Sequence, residues 1–355
     1  MQAFEYNGNP SRVIFGSGTI DRVPAELERL KVTTPLVLST PEQAEQARRL
    51  ASTLENAQVF TGATMHTPIR VTEQALQFAT HRSIDGVVSL GGGSTIGLGK
   101  ALSVRTGWPH LCIPTTYAGS EMTPILGEQS EGQKLTRRDP KILPSTVIYD
   151  VNLTLTLPPS LSATSGVNAL AHAVEALYAP NTNPIISLLA VEGAQSFANG
   201  LPGVIESPGD KASRELVLYG AWLCGVCLGS TDMSLHHKLC HTLGGSLNLP
   251  HAETHTIMLP HTFAYNATAA PDTAKRLAGA FAAYGDDAVS ALNKFLDQLG
   301  VKRALKDFGM KEEDIDKVAE LATKNPYSNP RPVELGLIRE VIRRAWAGEH
   351  ARADL

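Results

Sequence analysis

At 355 residues the chain is too long for one ordinary compact domain and long enough for two, each able to bury its own core. Its 31 Lys and Arg against 35 Asp and Glu leave a formal charge of -4, with no basic block or acidic tail, which argues against nucleic acid or a membrane surface as partner and for a small molecule. No stretch reaches the roughly 18 apolar residues of a membrane span, the first residues lack a basic region followed by an apolar run, and 4 cysteines are too few for a disulfide scaffold; the expected location is the cytoplasm.

The first 150 residues alternate short β-branched runs with helical stretches, the pattern of a parallel sheet flanked by helices. The runs predict strands at residues 13–15, 35–39, 59–61, 86–90, 110–114 and 147–150. Between them, apolar residues at helical spacing predict helices at 19–30, 42–55, 71–82 and 95–104. The strand at 86–90 runs directly into Gly91-Gly-Gly-Ser-Thr95 and then into a helix containing Lys100. Glycines there admit a phosphate to the backbone, and the new helix aims free N–H groups at it. The spacing is not G-x-G-x-x-G, so by itself the run is also compatible with a plain tight turn.

A second strand, 110–114, ends in Thr115 and Thr116 and continues through Tyr117 and Ser120. Ligands of open α/β sheets sit beyond the carboxyl ends of the strands, so two such ends predict a nucleotide site. The early strand ending at Ser39 carries no acidic residue for a ribose 2′-hydroxyl and no Arg for a 2′-phosphate, which leaves NADH and NADPH open.

Past Asp150 strands give way to long Ala- and Leu-rich helical segments, placing a boundary between a domain at 1–152 and an all-helical one at 153–355. Val167, Leu170, Ala171, Val174 and Leu177 form one apolar stripe. Cys224 and Cys227 make a C-x-x-C inside an apolar helical run, which reads as core packing. Residues 325–332 read as a loop.

Six of the eleven histidines fall between His236 and His261. His237 and His241 are four apart on one helical face, and His251 follows Pro250 after a loop that lets it fold back. Asn168 and His172 repeat the four-residue spacing upstream. Asn168, His172, His237 and His251 are thus expected to converge, with His241 one turn away. Three imidazoles are enough for zinc, yet the fourth group is a neutral amide, which weakens a metal reading. His236, His255 and His261 read as buried, hydrogen-bonded core residues.

These residues resemble the iron-containing (group III) alcohol dehydrogenases over essentially the whole chain. The matches run through Phe15-Gly-Ser-Gly18, Gly91-Gly-Gly-Ser94 with Lys100, Pro114-Thr-Thr116, Lys134, Asp150, Ala169-Leu-Ala-His-Ala173 with Glu175, His237-x-x-x-His241 and Pro250-His251. The resemblance implies an α/β Rossmann-like N-terminal domain followed by an all-α C-terminal domain, a dehydroquinate synthase-like fold, and a homodimer. Two departures, Gly97 and Asn168 where those dehydrogenases carry Asp, resemble the branch that reduces the conjugated C=C bond of an unsaturated keto-dicarboxylate formed in aromatic-ring degradation, generally without metal.

On that resemblance the cofactor, NADH or NADPH, lies across Ser39, Gly92, Gly93, Ser94, Thr95, Thr115 and Thr116, with Lys134 near the nicotinamide ribose. Tyr117, Ser120 and Asn168 line the substrate pocket, no metal is expected, and His172, His237, His241 and His251 donate to the oxygen on which charge develops. Arg137, Arg138 and Lys238 either meet substrate carboxylates or form solvated surface. The competing expectations are a metal-dependent alcohol dehydrogenase in which Asn168 still ligates, an NAD-containing lyase of the dehydroquinate synthase type, and an inactive nucleotide-binding module.

Overall fold

A computed structural model describes residues 4–9, 11–130, 133–325 and 327–355, without the side chains of Gln133 and Lys134; statements of absence below concern these residues. The chain divides into two compact units, Gly8–Leu157, and Pro158–Leu355 together with the N-terminal segment up to Asn7.

The first unit is built on six parallel strands: β1 (Arg12–Gly16), β2 (Pro35–Leu38), β3 (Gln58–Phe60), β4 (Gly86–Gly91), β5 (His110–Pro114) and, after the hairpin described below, β8 (Thr146–Asp150). Their order is β1-β8-β5-β4-β2-β3. Helices α1 (Val23–Arg29), α2 (Ala44–Ala51), α3 (Ile69–Ala79) and α4 (Gly93–Thr106) alternate with them. Alternation along the central strands buries two faces. Val37, Val88, Leu90, Leu111 and Ile113 pack with Ala47 and Leu50 of α2 on one side. Leu36, Leu38 and Val87 pack with Leu98 and Leu102 of α4 on the other.

All six predicted strands are present, with ends within one residue of those predicted. What the sequence reading omits is an antiparallel hairpin, β6 (Ile125–Ser130) with β7 (Gln133–Arg138), which pairs Gln129 with Lys134. From β2 the chain moves outward to β3, then returns to β4 on the opposite side of β2 and continues to β5. The strand order therefore reverses between β2 and β4, where α/β sheets bind ligands.

The second unit is helical: α5 (Pro159–Tyr178), α6 (Pro184–Glu206), α7 (Lys211–Ser230), α8 (Leu235–Leu247), α9 (His251–Ala267), α10 (Pro271–Ala280), α11 (Ala288–Gln298), α12 (Asp314–Thr323) and α13 (Leu335–Ala347). Residues 162–177 of α5 are all buried, so its polar side chains lie in the core and need partners or a function. Cys224 and Cys227 are buried within α7, as the apolar run implies. Asn248, at φ 54°, closes α8 in the left-handed conformation, and Pro250 starts α9 two residues later; this tight turn brings His251 back toward α8. No single helix is long and apolar enough to cross a membrane.

Candidate functional site

The ends of β4 and β5 lie side by side, with Gly91 paired to Pro114 and Thr115 N–H donating to Gly91 O. Gly91 has φ +154°, and a Cβ there would meet Thr95 Oγ1 at 2.4 Å. Thr95 and Ile96 donate the first helical bonds of α4 to Gly92 O, leaving the N–H groups of Gly93 and Ser94 ahead of them at the helix start. Gly93 is exposed, Ser94 is half-buried, and the Thr95 hydroxyl is buried without a partner. An unsatisfied hydroxyl beside an open helix N-terminus fits a pyrophosphate. Gly92, Gly93, Ser94, Thr95 and Thr116 would hold it.

Gln43, which the sequence reading omits, donates from Nε2 to Thr115 Oγ1 at 2.9 Å and ties the segment after β2 to the end of β5. Ser39, at the end of β2, is fully buried and its hydroxyl donates to Thr40 O. Tyr117, just past the end of β5, is also fully buried. The Ser120 carbonyl takes the Lys100 ammonium at 2.5 Å, and Thr123 Oγ1 and Ile125 O each take it at 2.9 Å. Lys100 thus pins the segment after β5 beneath α4, and burial pushes its pKa down to about 8. The Lys134 side chain lies outside the described residues; Arg137 and Arg138 are exposed. Lys238 Nζ sits 5.7 Å above the Tyr327 ring.

At Gly97 a Cβ would lie 2.2 Å from Thr67 Oγ1. The space that an Asp would need is filled by a threonine held at φ 45°.

The helical unit gathers the histidines from α5, α8 and α9. His172 stacks on His237 with ring centroids 5.2 Å apart, His237 lies 5.9 Å from His241, and His251 lies 4.3 Å from His255. Asn168, His172 and His237 are buried, whereas His241 and His251 are exposed. Burial and the neighbouring imidazoles hold the His172 pKa well below its ordinary value, so it is a neutral ring. Asn168 Oδ1, His172 Nδ1 and His237 Nε2 are all buried without a hydrogen-bond partner. Buried groups this polar are rarely left so without a ligand to meet.

Glu175, one turn beyond His172, organises them. Its buried carboxylate accepts Ser234 N–H at 2.9 Å and His236 N–H at 2.7 Å, capping α8, and also accepts His237 Nδ1–H at 2.7 Å. That bond fixes the His237 tautomer and leaves Nε2 as the group directed elsewhere. In the sequence Glu175 stood out only as a match to the family, without this role.

The expectation that His236 is a hydrogen-bonded core residue holds: it bonds Thr262 Oγ1 at 3.1 Å and His255 Nδ1 at 3.0 Å. His261 is buried as expected, but its Nε2 has no partner. His255 is only partly such a residue, because its Nε2 has no partner and its ring lies 5.0 Å from His237 and 6.4 Å from His241.

A parallel sheet with an anion-ready glycine turn and a helical unit with a buried histidine cluster define an oxidoreductase of the dehydroquinate synthase-like fold. The iron-containing alcohol dehydrogenase profile matches residues 10–151, and that of the Fe-containing alcohol dehydrogenase family, C-terminal, matches 162–346. The chain belongs to this family. It is 53% identical to a maleylacetate reductase of Rhizobium sp. over 98% of this chain and 99% of that one. The crystal structure of maleylacetate reductase from Agrobacterium tumefaciens superposes with TM-score 0.95 at 52% identity, covering 99% of this chain and 100% of that chain. The fold alone extends to a 1,3-propanediol oxidoreductase, TM-score 0.88 at 24% identity over 97% of this chain and 100% of that chain.

Iron in the family name raises the question of whether these residues fit a cation. Asn168, His172, His237 and His251 offer an amide and three imidazoles with no negative charge. Among the described residues the one cluster of His, Cys and carboxylate donor atoms within 4.8 Å of one another is His236, Cys240 and His255, which includes none of those four. Its two imidazole nitrogens are already bonded to each other at 3.0 Å. The first set brings no charge to a divalent ion, and the second would have to give up its imidazole–imidazole bond to hold one.

Proposed function

We propose that the chain is a maleylacetate reductase, reducing the C=C bond of maleylacetate to 3-oxoadipate with NADH or NADPH in aromatic compound degradation, and that it works without a metal. The observation that carries this reading is the neutral amide of Asn168 among unpartnered imidazole nitrogens, a donor set that brings no negative charge to a cation. Full-length similarity to maleylacetate reductases supports the choice of substrate.

Maleylacetate has a double bond conjugated to a ketone. The bound reduced nicotinamide supplies a hydride to the alkene carbon farther from the ketone. Charge then moves onto the ketone oxygen, and the alkene carbon nearer the ketone takes a proton. The helical unit supplies the donors for that oxygen from the His172, His237, His241 and His251 set, with Asn168 contributing an amide N–H to the substrate. The glycine turn holds the cofactor's phosphates.

The test is oxidation of NADH or NADPH, followed at 340 nm, with maleylacetate and enzyme dialysed against chelator. Full turnover with no bound metal is expected. Activity that disappears on chelation and returns with Fe²⁺ or Zn²⁺ would restore a metal-dependent reading, and product formed without net cofactor oxidation would restore a lyase.

A further inference from the structure

His255 belongs to the chemistry of the cluster, and hydrogen-bond direction shows how. The Thr262 hydroxyl lies 3.0 Å from Met258 O and 3.1 Å from Leu259 O, and carbonyls only accept, so its proton is spent there. Thr262 Oγ1 must then accept at 3.1 Å from His236 Nδ1–H. His236 Nε2 is consequently a lone pair, and it accepts at 3.0 Å from His255 Nδ1–H. His255 Nε2 is left as a bare lone pair, buried and without a partner. Burial and the surrounding imidazoles of His251, His236, His237 and His241 oppose its protonation.

His237 gives its Nδ1–H to Glu175. The bare His255 nitrogen cannot donate to an oxygen on which negative charge develops. Donation falls to the other rings of the cluster, among which His251 is nearer to His255 than His241 is, at 4.3 Å against 6.4 Å.

We propose that His255 is a positioning residue for the reduction: the Thr262–His236–His255 chain locks its tautomer so that Nε2 presents an acceptor beside the His251 ring, 4.3 Å away, which orients His251 as the donor to the substrate. His251 is the first residue of α9, where the helix dipole disfavours a cation, and an acceptor at its ring offsets that. The groups facing it are His255 on its own helix, His237 and His241 on α8, and His172 on α5. The step balances: the reduced cofactor would give a hydride to the alkene carbon farther from the ketone, His251 gives its proton to the ketone oxygen, the enol returns that proton to solvent as the nearer alkene carbon takes one up, and His251 recovers a proton from solvent.

This assignment rests on the proposed reductase activity, so three readouts are combined. His255→Leu removes the acceptor, and kcat is expected to fall about 100-fold with KM changed less than about 3-fold, the size of a lost proton-transfer contribution. His255→Gln, which restores an acceptor oxygen, should recover at least about tenfold of that loss. Thr262→Val leaves His255 in place and unlocks the chain, and should lower kcat in the same direction; it serves as the kinetic test if the Leu variant fails to fold. ¹⁵N NMR of the wild type should show the His255 proton on Nδ1. A Leu variant with wild-type kcat, Gln and Leu variants equally impaired, or a proton on Nε2 would overturn the assignment. Absence of turnover by the wild type would instead count against the proposed function, and the NMR result would still decide the lock.

Discussion

Gly97 shows how one missing side chain reports on its surroundings. A glycine inside α4 is costly, since Ala at an unobstructed helical position is better by about 1 kcal/mol. Here a Cβ would meet Thr67 Oγ1 at 2.2 Å. Gly97→Ala is therefore expected to destabilise the protein by about 1–3 kcal/mol through overpacking. In a Thr67→Gly background, which suits the left-handed backbone at that position, the same change should become neutral or stabilising. Urea denaturation of the four proteins of the cycle measures the coupling; equal costs in both backgrounds would show that Thr67 does not occupy the space. The glycine was visible in the sequence as a departure. Its cause was not, because Thr67 lies thirty residues upstream and only the tertiary fold brings it to α4. The same holds at the cluster: the spacing 168, 172, 237, 241, 251 was legible, but the direction of each imidazole proton depends on Glu175 and Thr262, which periodicity does not connect.

At the scale of elements, Glu175 is the link between α5 and α8. One carboxylate satisfies two N–H groups at the start of α8 and the Nδ1–H of His237. Glu175→Gln keeps the shape but replaces one acceptor oxygen by a donor that faces other donors. The expected loss is about 2 kcal/mol, the scale of a hydrogen bond to a charged group. Hydrogen exchange should accelerate at the Ser234 and His236 amides while α11, far along the chain, stays protected. Unchanged exchange at both amides would show that α8 is held from elsewhere. The alternating strands and helices of the first 150 residues were readable because the inner strands β2, β4, β5 and β8 are buried along their whole length and α2 and α3 on one face, which forces the apolar spacing. The hairpin of β6 and β7 escaped for the opposite reason: it is a two-stranded ribbon whose Leu135 is exposed, so burial imposes little pattern on it.

For the whole molecule, the histidines set a pH dependence of stability. Burial holds His110 and His261 at about 3, and His172, His236 and His255 well below the ordinary 6.5. Above the unfolded value both states are neutral and these groups contribute nothing. Below it the unfolded chain takes up protons that the folded chain refuses, so stability falls as pH falls from 6.5 toward the folded values. Each group costs up to about 1.4 kcal/mol per pH unit, and at pH 5.5 five together cost several kcal/mol, a large share of the 5–15 kcal/mol typical of a native protein. Glu121, whose pKa burial raises, works the other way by holding a proton in the folded state, but it is one group against five. The denaturation midpoint is thus expected to drop steeply between pH 7 and pH 5.5, a window in which ordinary exposed carboxylates remain ionised. His261 is the useful control, since the arginines Arg303, Arg344 and Arg352 surround it and the imidazole cluster does not. His261→Asn should flatten the slope by about one proton while leaving the reductase kinetics unchanged. A midpoint independent of pH across that window, or a His261→Asn slope equal to the wild type, would mean that these rings take up protons in the folded state.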